Sequence, residues 1–305
     1  MKPKITVVGS LNMDIVVTME RMPLAGETVS GRDVRYMPGG KGANQAVGCA
    51  RLGAEVAHIG AVGDDVFGRQ IADKFSSLGL RTEGLAVLAG EPTGIASIYH
   101  TPEDNCIAVV PGANAACTPD YVERHAEAIR AARLLLVQLE IPLPAVQRAL
   151  ELAREAGVVT VLNPAPAQPL SRELLSLADW VTPNETEFAA LSGSAPQTET
   201  EWQAALQRYQ AEHGPAVLVT RGAKGCSYLA ADGTLRTVPA PVVNVVDTTG
   251  AGDALNAAFG FGLASGWSVE EAAAFAVKAA SLSVTRFGAQ EGMPSYDEVM
   301  AGGTY

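Results

Sequence analysis

Short, predominantly apolar and β-branched runs alternate along the chain with longer stretches whose apolar residues recur at helical spacing. Ile5 to Val8 is followed by a helical stretch from Gly42 to Leu52, then by an apolar run from Val56 to Val62 and a second helical stretch from Val66 to Leu78. The rhythm resumes with Leu134 to Val137, Val158 to Leu162 and Ala216 to Val219, and it predicts helices over 144–156, 171–177 and 200–212. Continuous apolarity marks strands buried on both faces, and strand alternating with helix marks a parallel sheet covered on both sides. Two segments break the rhythm. Asp14 to Met19 with Val34 to Met37, and Gly94 to His100 with Cys106 to Val110, read as hairpin strands, the second pair joined by Pro102-Glu103-Asp104-Asn105. The predicted fold is an α/β three-layer sandwich: a mostly parallel central sheet flanked by helices, plus a small β-sheet lid from about 14–37 and 92–111. Without a repeat or a linker-like stretch, the 305 residues read as one domain carrying that lid.

Charge and composition narrow the partners. Lys and Arg total 22 against 33 Asp and Glu, and a net charge of -11 repels nucleic acid and anionic membrane at long range. An anionic ligand must therefore be held by local donors. The uncharged apolar stretch from Ala254 to Leu263 is too short to span a bilayer, and the first apolar run meets Asn12 and Asp14 too early for a signal peptide, so a cytoplasmic protein is expected. Cys49, Cys106, Cys117 and Cys226 lie far apart with no histidine at metal spacing, which points to reduced structural thiols.

Polar residues collect where the predicted strands end. Glu140 closes one such segment and Asn163 another; Asn184 and Glu187 follow Trp180-Val181-Thr182-Pro183, and Thr220-Arg221-Gly222 follows Val217-Leu218-Val219. In an open parallel sheet, ligands bind outside the carboxyl ends of the strands, so these positions define one polar cleft. Asp247-Thr248-Thr249-Gly250-Ala251-Gly252-Asp253 precedes an apolar helix, whose free amides and dipole would attract a phosphate. Taken alone, Asp253 there is equally an acidic residue favoured by the dipole. The turn lacks the last glycine of a dinucleotide fingerprint, and no G-x-x-x-x-G-K-[ST] occurs, which disfavours a dinucleotide oxidoreductase and a P-loop NTPase. Earlier, Pro38-Gly39-Gly40-Lys41-Gly42-Ala43-Asn44-Gln45-Ala46 lets a ligand approach bare backbone just before a helix begins. Asn12 and Asp14 share a face if the first strand continues, and a carboxylate there can accept hydrogen bonds from two neighbouring hydroxyls, as a sugar requires.

These motifs resemble those of the ribokinase-like (PfkB) carbohydrate kinases over nearly the whole chain. Gly40 through Asn44 with Gly53 and Gly63 is similar to the family's N-terminal motif, and Asp247 through Asp253 to its C-terminal motif; Gly9 to Asp14, Asn163 to Ala167, Asn184 to Glu187 and Thr220 to Gly225 also match. The resemblance implies ATP-dependent phosphorylation of the 5-hydroxyl of D-ribose. Asp253 would be the catalytic base, with the amides of Gly250, Ala251 and Gly252 stabilising the phosphoryl group. Asn12, Met13, Asp14, Gly40, Lys41, Gly42, Ala43, Asn44 and Glu140 would bind sugar. Asn184, Thr220, Arg221, Gly222, Ala223, Lys224, Gly225, Gly252 and Val277 would bind ATP, and Glu187 would help place Mg²⁺ through water. Asp247, Thr249, Ser283, Arg286, Gly288 and Gly292 match a monovalent-cation site for an activating K⁺, although Gly292 stands where the family can offer a serine. Val277 replaces a residue that is often polar. Met13 replaces a smaller residue, and its thioether could crowd a sugar hydroxyl, which brings 2-deoxyribose into consideration. Other sugars, a sugar acid, a nucleoside, and a non-catalytic sugar-binding regulator on the same fold are the alternatives. A homodimer through the lid is expected.

Overall fold

The computed structural model describes residues 2–102 and 105–302. In chain order the elements begin β1 (Lys4–Val8), β2 (Asn12–Met19), β3 (Gly31–Gly39), α1 (Lys41–Arg51), β4 (Glu55–Gly63), α2 (Val66–Ser77), β5 (Leu85–Leu88), β6 (Gly94–His100) and β7 (Asn105–Val110). They continue α3 (Pro119–Arg124), α4 (Ala126–Arg130), β8 (Leu134–Val137), α5 (Leu143–Glu155), β9 (Val159–Leu162), α6 (Arg172–Leu175), β10 (Trp180–Val181), α7 (Glu185–Ser192) and α8 (Glu199–His213). The chain finishes β11 (Ala216–Thr220), β12 (Cys226–Leu229), β13 (Leu235–Val238), α9 (Ala251–Ala264), α10 (Val269–Ser283), α11 (Ala289–Gly292) and α12 (Tyr296–Met300).

Nine strands form the large sheet in the order β13-β12-β11-β10-β9-β8-β1-β4-β5, parallel from β5 to β11 and antiparallel at the β12 and β13 edge. Its central strands bury both faces, which is why they carry no alternation. Leu134 and Leu136 of β8 pack on the side of α1, α9 and α10, while Leu135 and Val137 pack on the side of α3, α5 and α8. The chain enters at β1, builds outward through β4 and β5, then returns to build the other half from β8. Strand order thus reverses between β1 and β8, and the crevice beyond their carboxyl ends is where such a sheet admits a ligand.

The small sheet has the order β3-β2-β6-β7. Both predicted hairpins are present, β2 with β3 and β6 with β7, and they meet through a parallel pairing of β2 with β6. The parallel contact follows from the connections, since β2 and β6 each leave the large sheet shortly after one of its parallel strands. Strand β2 starts at Asn12 rather than Asp14, so Asn12 and Asp14 are in-strand residues of one face and Met13 belongs to the other. Of the expected turn at 102–105, Glu103 and Asp104 lie outside the described residues. The sequence pattern does not single out β5, β12 and β13, which have four residues each; β12 and β13 are also of mixed polarity. Among the described residues, no helix is long and apolar enough to cross a membrane.

Candidate active site

Two cavities open beyond the carboxyl ends of the strands and share one wall, the turn from Thr248 to Asp253. The first, of about 680 Å³, lies between the sheets and is lined by Asn12, Asp14, Lys41, Asn44, Glu140 and Asp253, under Ala96, Ile98, Ile107 and Val109 of the small sheet. The second, of about 450 Å³, is lined by Thr220, Gly222, Ala223, Gly225, Gly252 and Val277, with the 240–245 segment, and among the described residues no charged side chain lines it.

Register builds the polar floor of the first cavity. Strands β1 and β8 pair through Val8 and Val137, so Ser10 and Glu140 leave the sheet side by side. The Ser10 hydroxyl donates to Glu140 Oε2 at 2.6 Å, and the Lys41 amide donates to the same oxygen at 3.0 Å. Glu140 thereby holds the start of α1 in place. Gly40 precedes that helix at φ 87, a left-handed backbone that a side chain would strain, and a Cβ there would come within 2.8 Å of the Asn12 amide nitrogen. Asn114 donates to Asn12 Oδ1 at 2.8 Å and so fixes the Asn12 amide.

Asp253 stands in the first turn of α9, buried, with both carboxylate oxygens engaged. Asn44 donates to Oδ2 at 2.9 Å and Gln45 donates to Oδ1 at 3.1 Å. The residue that caps the start of α9 is Gly250, whose φ of 77 and close approach to Ala289 leave no room for a Cβ. Above Gly252 there is open space, so a ligand can reach the leading amides of the helix.

Electrostatics concentrate in the same place. Burial lifts the Asp14 carboxyl to about 7, aided by the nearby carboxylates of Glu140 and Asp253 and opposed by Lys41. Burial also raises Asp253, against the pull of Lys41 and of the donors on Asn44 and Gln45. Although burial disfavours the Lys41 ammonium, Asp253, Glu140, Glu187 and Asp14 outweigh it and hold the group above the ordinary lysine value. The half-buried Lys41 cation therefore balances a cluster of carboxylates at the junction of the two cavities.

Several predicted residues lie elsewhere. Met13 is fully buried in the apolar core, because strand alternation turns it away from the face of Asn12 and Asp14; the steric argument for 2-deoxyribose loses its basis. Gly42 and Ala43 are also buried and line neither cavity. A Cβ on Gly42 would reach 2.5 Å from the Ser10 amide nitrogen, and the Ala43 amide donates to Ser10 O, so this pair packs α1 against the loop after β1. Arg221 turns inward with 3% of its side chain exposed, pairs with Glu199 at 2.7 Å and sits over the Trp202 ring, leaving its side chain out of the second cavity. Lys224 is exposed and lines neither cavity. Asn184 and Glu187 cap α7 reciprocally: the Glu187 amide donates to Asn184 Oδ1 at 2.7 Å and the Asn184 amide to Glu187 Oε2 at 2.8 Å. Burial raises the Glu187 carboxyl, which lies within electrostatic reach of Lys41 and Asp253.

The six predicted cation residues cluster behind the turn. Asp247 accepts from the Thr249 and Gly288 amides, each at 2.9 Å. A Cβ on Gly292 would come within 2.5 Å of Ser283 O and 3.6 Å of Arg286 O, so both carbonyls face the bare Cα of Gly292. Gln45, Gln138, Gln290, Asn114 and Ser10, none of them singled out by the sequence, complete the polar framework.

A model of the pfkB family carbohydrate kinases matches residues 2–296. The ribokinase of Bacillus subtilis (strain 168) is 43% identical over 295 residues, covering 97% of this chain and 97% of that one. The deoxyribokinase of Salmonella typhi is 34% identical over 296 residues, covering 96% of each chain. The structure of Arabidopsis thaliana ribokinase complexed with ribose and ATP superposes with a TM-score of 0.93 at 34% identity and covers 100% of both chains. With a family model spanning residues 2–296 and relatives matched from end to end, the chain belongs to the pfkB family of carbohydrate kinases.

Proposed function

We propose that this chain transfers the γ-phosphoryl group of ATP to the 5-hydroxyl of D-ribose, giving D-ribose 5-phosphate and ADP, with Asp253 as the base. The observation that carries the reading is the placement of Asp253 at the wall shared by a polar cavity and an uncharged groove. The first offers acceptors and donors for sugar hydroxyls, and the second offers backbone and apolar walls for a nucleotide. Relatives named ribokinase, matched over the full chain, support ribose as the sugar. The deoxyribokinase of Salmonella typhi keeps 2-deoxyribose as the second reading.

Phosphoryl transfer asks little covalent chemistry of the protein. In this reading Asn12 and Asp14 hold sugar hydroxyls, Asn44 and Lys41 orient the acceptor, and Asp253 takes the proton of the attacking hydroxyl. A raised pKa makes that carboxylate a stronger base once ionised. The leading amides of α9 receive the charge on the transferred group. The oxygen donors fit the ions that the family implies: Glu187, facing Lys41 and Asp253, would hold Mg²⁺ through water, and Asp247 with the carbonyls of Ser283 and Arg286 would hold K⁺. When bound, Mg²⁺ would neutralise phosphate charge.

The small sheet serves in this reading as a lid of a single-domain enzyme. Ile107 and Val109 stay 51% and 50% exposed beside the cavity, which favours a homodimer in which a second copy covers them. An ATP consumer with four unpaired thiols fits the cytoplasm. ADP release with ribose, 2-deoxyribose, fructose and adenosine, each in K⁺ and in Na⁺, tests the assignment. Ribose should be turned over fastest, and Asp253→Asn should lower turnover by about 1,000-fold at retained fold. Parental turnover by that variant would remove Asp253 as base.

A further inference from the structure

We propose that Gln45 and Gln290 are positioning residues that fix Asp253 through two converging amide relays. In one arm, Gln138 Nε2 donates to Gln45 Oε1 at 2.5 Å, which turns the Gln45 amino group toward Asp253 Oδ1. In the other arm, Gln290 Nε2 donates to Asn44 Oδ1 at 3.0 Å, which turns the Asn44 amino group toward Asp253 Oδ2. Each outer glutamine thus removes the freedom of an inner amide to flip. A flipped amide would present an oxygen to the carboxylate and repel it.

The arms come from opposite sides, one from beyond β8 and one from α11, and all three glutamines are fully buried. Gln45 also donates to Asn163 Oδ1 at 3.2 Å, and Asn163 donates to Thr182 O at 3.1 Å. Thr182 Oγ1 donates to Asn256 Oδ1 at 2.5 Å, and Asn256 donates to Gly252 O at 2.9 Å. The network that clamps the carboxylate therefore ends on the anion-binding turn itself. Because every member is neutral, it orients the base without pairing its charge. Each carboxylate oxygen accepts one N–H from the relay and keeps a further acceptor site for the substrate hydroxyl.

This inference rests on Asp253 being the base, so the test keeps the two apart. Gln45→Met, Gln290→Met and Asp253→Asn are made in the full chain and assayed with ribose and ATP across pH, with thermal melts of each. Gln45 does not line the sugar cavity, so Gln45→Met should lower kcat by about tenfold with KM for ribose within about twofold of the parent. The acid limb of kcat/KM should move to higher pH, because the ionised carboxylate has lost a donor. Lys41 on α1, Asp14 on β2, Glu140 beyond β8 and Glu187 on α7 also face Asp253, and all are kept in both variants. Gln290→Met releases Asn44, which does line the cavity, so KM for ribose should rise while kcat falls. A purely structural role would lower the melting temperature and leave both the limb and the split between kcat and KM unchanged.

Parental kcat, KM and acid limb in folded Gln variants, with Asp253→Asn silent, would overturn the relay and leave the base. Parental turnover by Asp253→Asn would remove the base first. If Gln45→Met does not fold, Gln290→Met is decisive alone; failure of both to fold would make the pair structural and count against the proposal.

Discussion

The two cavities that meet at Asp253 are built on opposite principles. The cavity proposed for the sugar uses side chains: Asn12, Asp14, Lys41, Asn44, Glu140 and Asp253 line it, and hydrogen bonds from residues behind them fix several of these groups. The groove proposed for the nucleotide uses backbone and shape: Gly222, Gly225, Val277 and the 240–245 segment line it without a formal charge. A small polyol offers only hydroxyls and must be recognised group by group, whereas a nucleotide brings its own charge and an aromatic face to a wall of matching shape. Substitutions on one side should therefore act through hydrogen bonds and charge, and those on the other through packing.

The largest effect to separate the two sides is expected at Gly39. Its Cα lies against the Asp14 carboxylate, and a Cβ there would occupy the space of all three carboxylate atoms. Gly39→Ala must push Asp14 aside at a backbone φ that alanine accepts. Losing a charge-assisted pair of hydrogen bonds to sugar amounts to about 3 kcal/mol, or about 100-fold in kcat/KM for ribose. KM for ATP should stay within about twofold. An equal rise in both KM values would mean that the two cavities are not independent.

Arg221 comes next, because it tests whether a cation near the groove serves the nucleotide or the fold. Its guanidinium is bonded to Glu199 and to Ser227 Oγ at 3.1 Å, and stacks on Trp202. Arg221→Ala should cost about 2 kcal/mol of stability through the lost packing on Trp202 and the lost charge-assisted hydrogen bonds, since the Glu199 carboxylate it leaves behind is exposed, and leave KM for ATP within about twofold. A stable variant with a tenfold higher KM for ATP would return Arg221 to the nucleotide site.

The same contrast explains how much of the molecule could be read from its sequence. Strands β1, β8, β9 and β11 announce themselves because burial on both faces demands predominantly apolar runs without alternation, and the two hairpins because their turns and alternation do not suit a helix. The polar residues of the sugar side are legible as acceptors and donors stranded beside glycines. On the nucleotide side, charged residues invite the wrong inference. Arg221 and Lys224 sit in a glycine-rich loop after a strand, as phosphate binders do, yet tertiary pairing with Glu199, on a helix that precedes the loop, draws Arg221 inward. Gln45 and Gln290 escape sequence reading for another reason. Their partners are 208 and 246 residues away, and a glutamine amide carries no signature until the fold brings a carboxylate or an asparagine to it.

The smallest predicted effect is the most specific to the sugar side. Asp14 has a folded pKa of about 7 against an ordinary value of 3.8, with burial as the main cause. Between those values the folded chain keeps a proton that the unfolded chain has released. Stability contributed by this group is therefore fully present at the acid end and is lost as pH rises toward 7, where the buried carboxylate must ionise. Asp14→Asn abolishes that loss. In sugar-free protein its melting temperature should exceed the parent's at about pH 8, by a margin that shrinks as pH falls below 7 and vanishes toward 4. Asp253 and Glu187 titrate in the same sense, but both proteins contain them and the comparison cancels their share. Val277→Ser, in a groove without a titrating wall, should instead shift the melting temperature by the same amount at every pH. A flat difference for Asp14→Asn as well would mean that the strained charge of the sugar cavity lies on a neighbouring carboxylate rather than on Asp14.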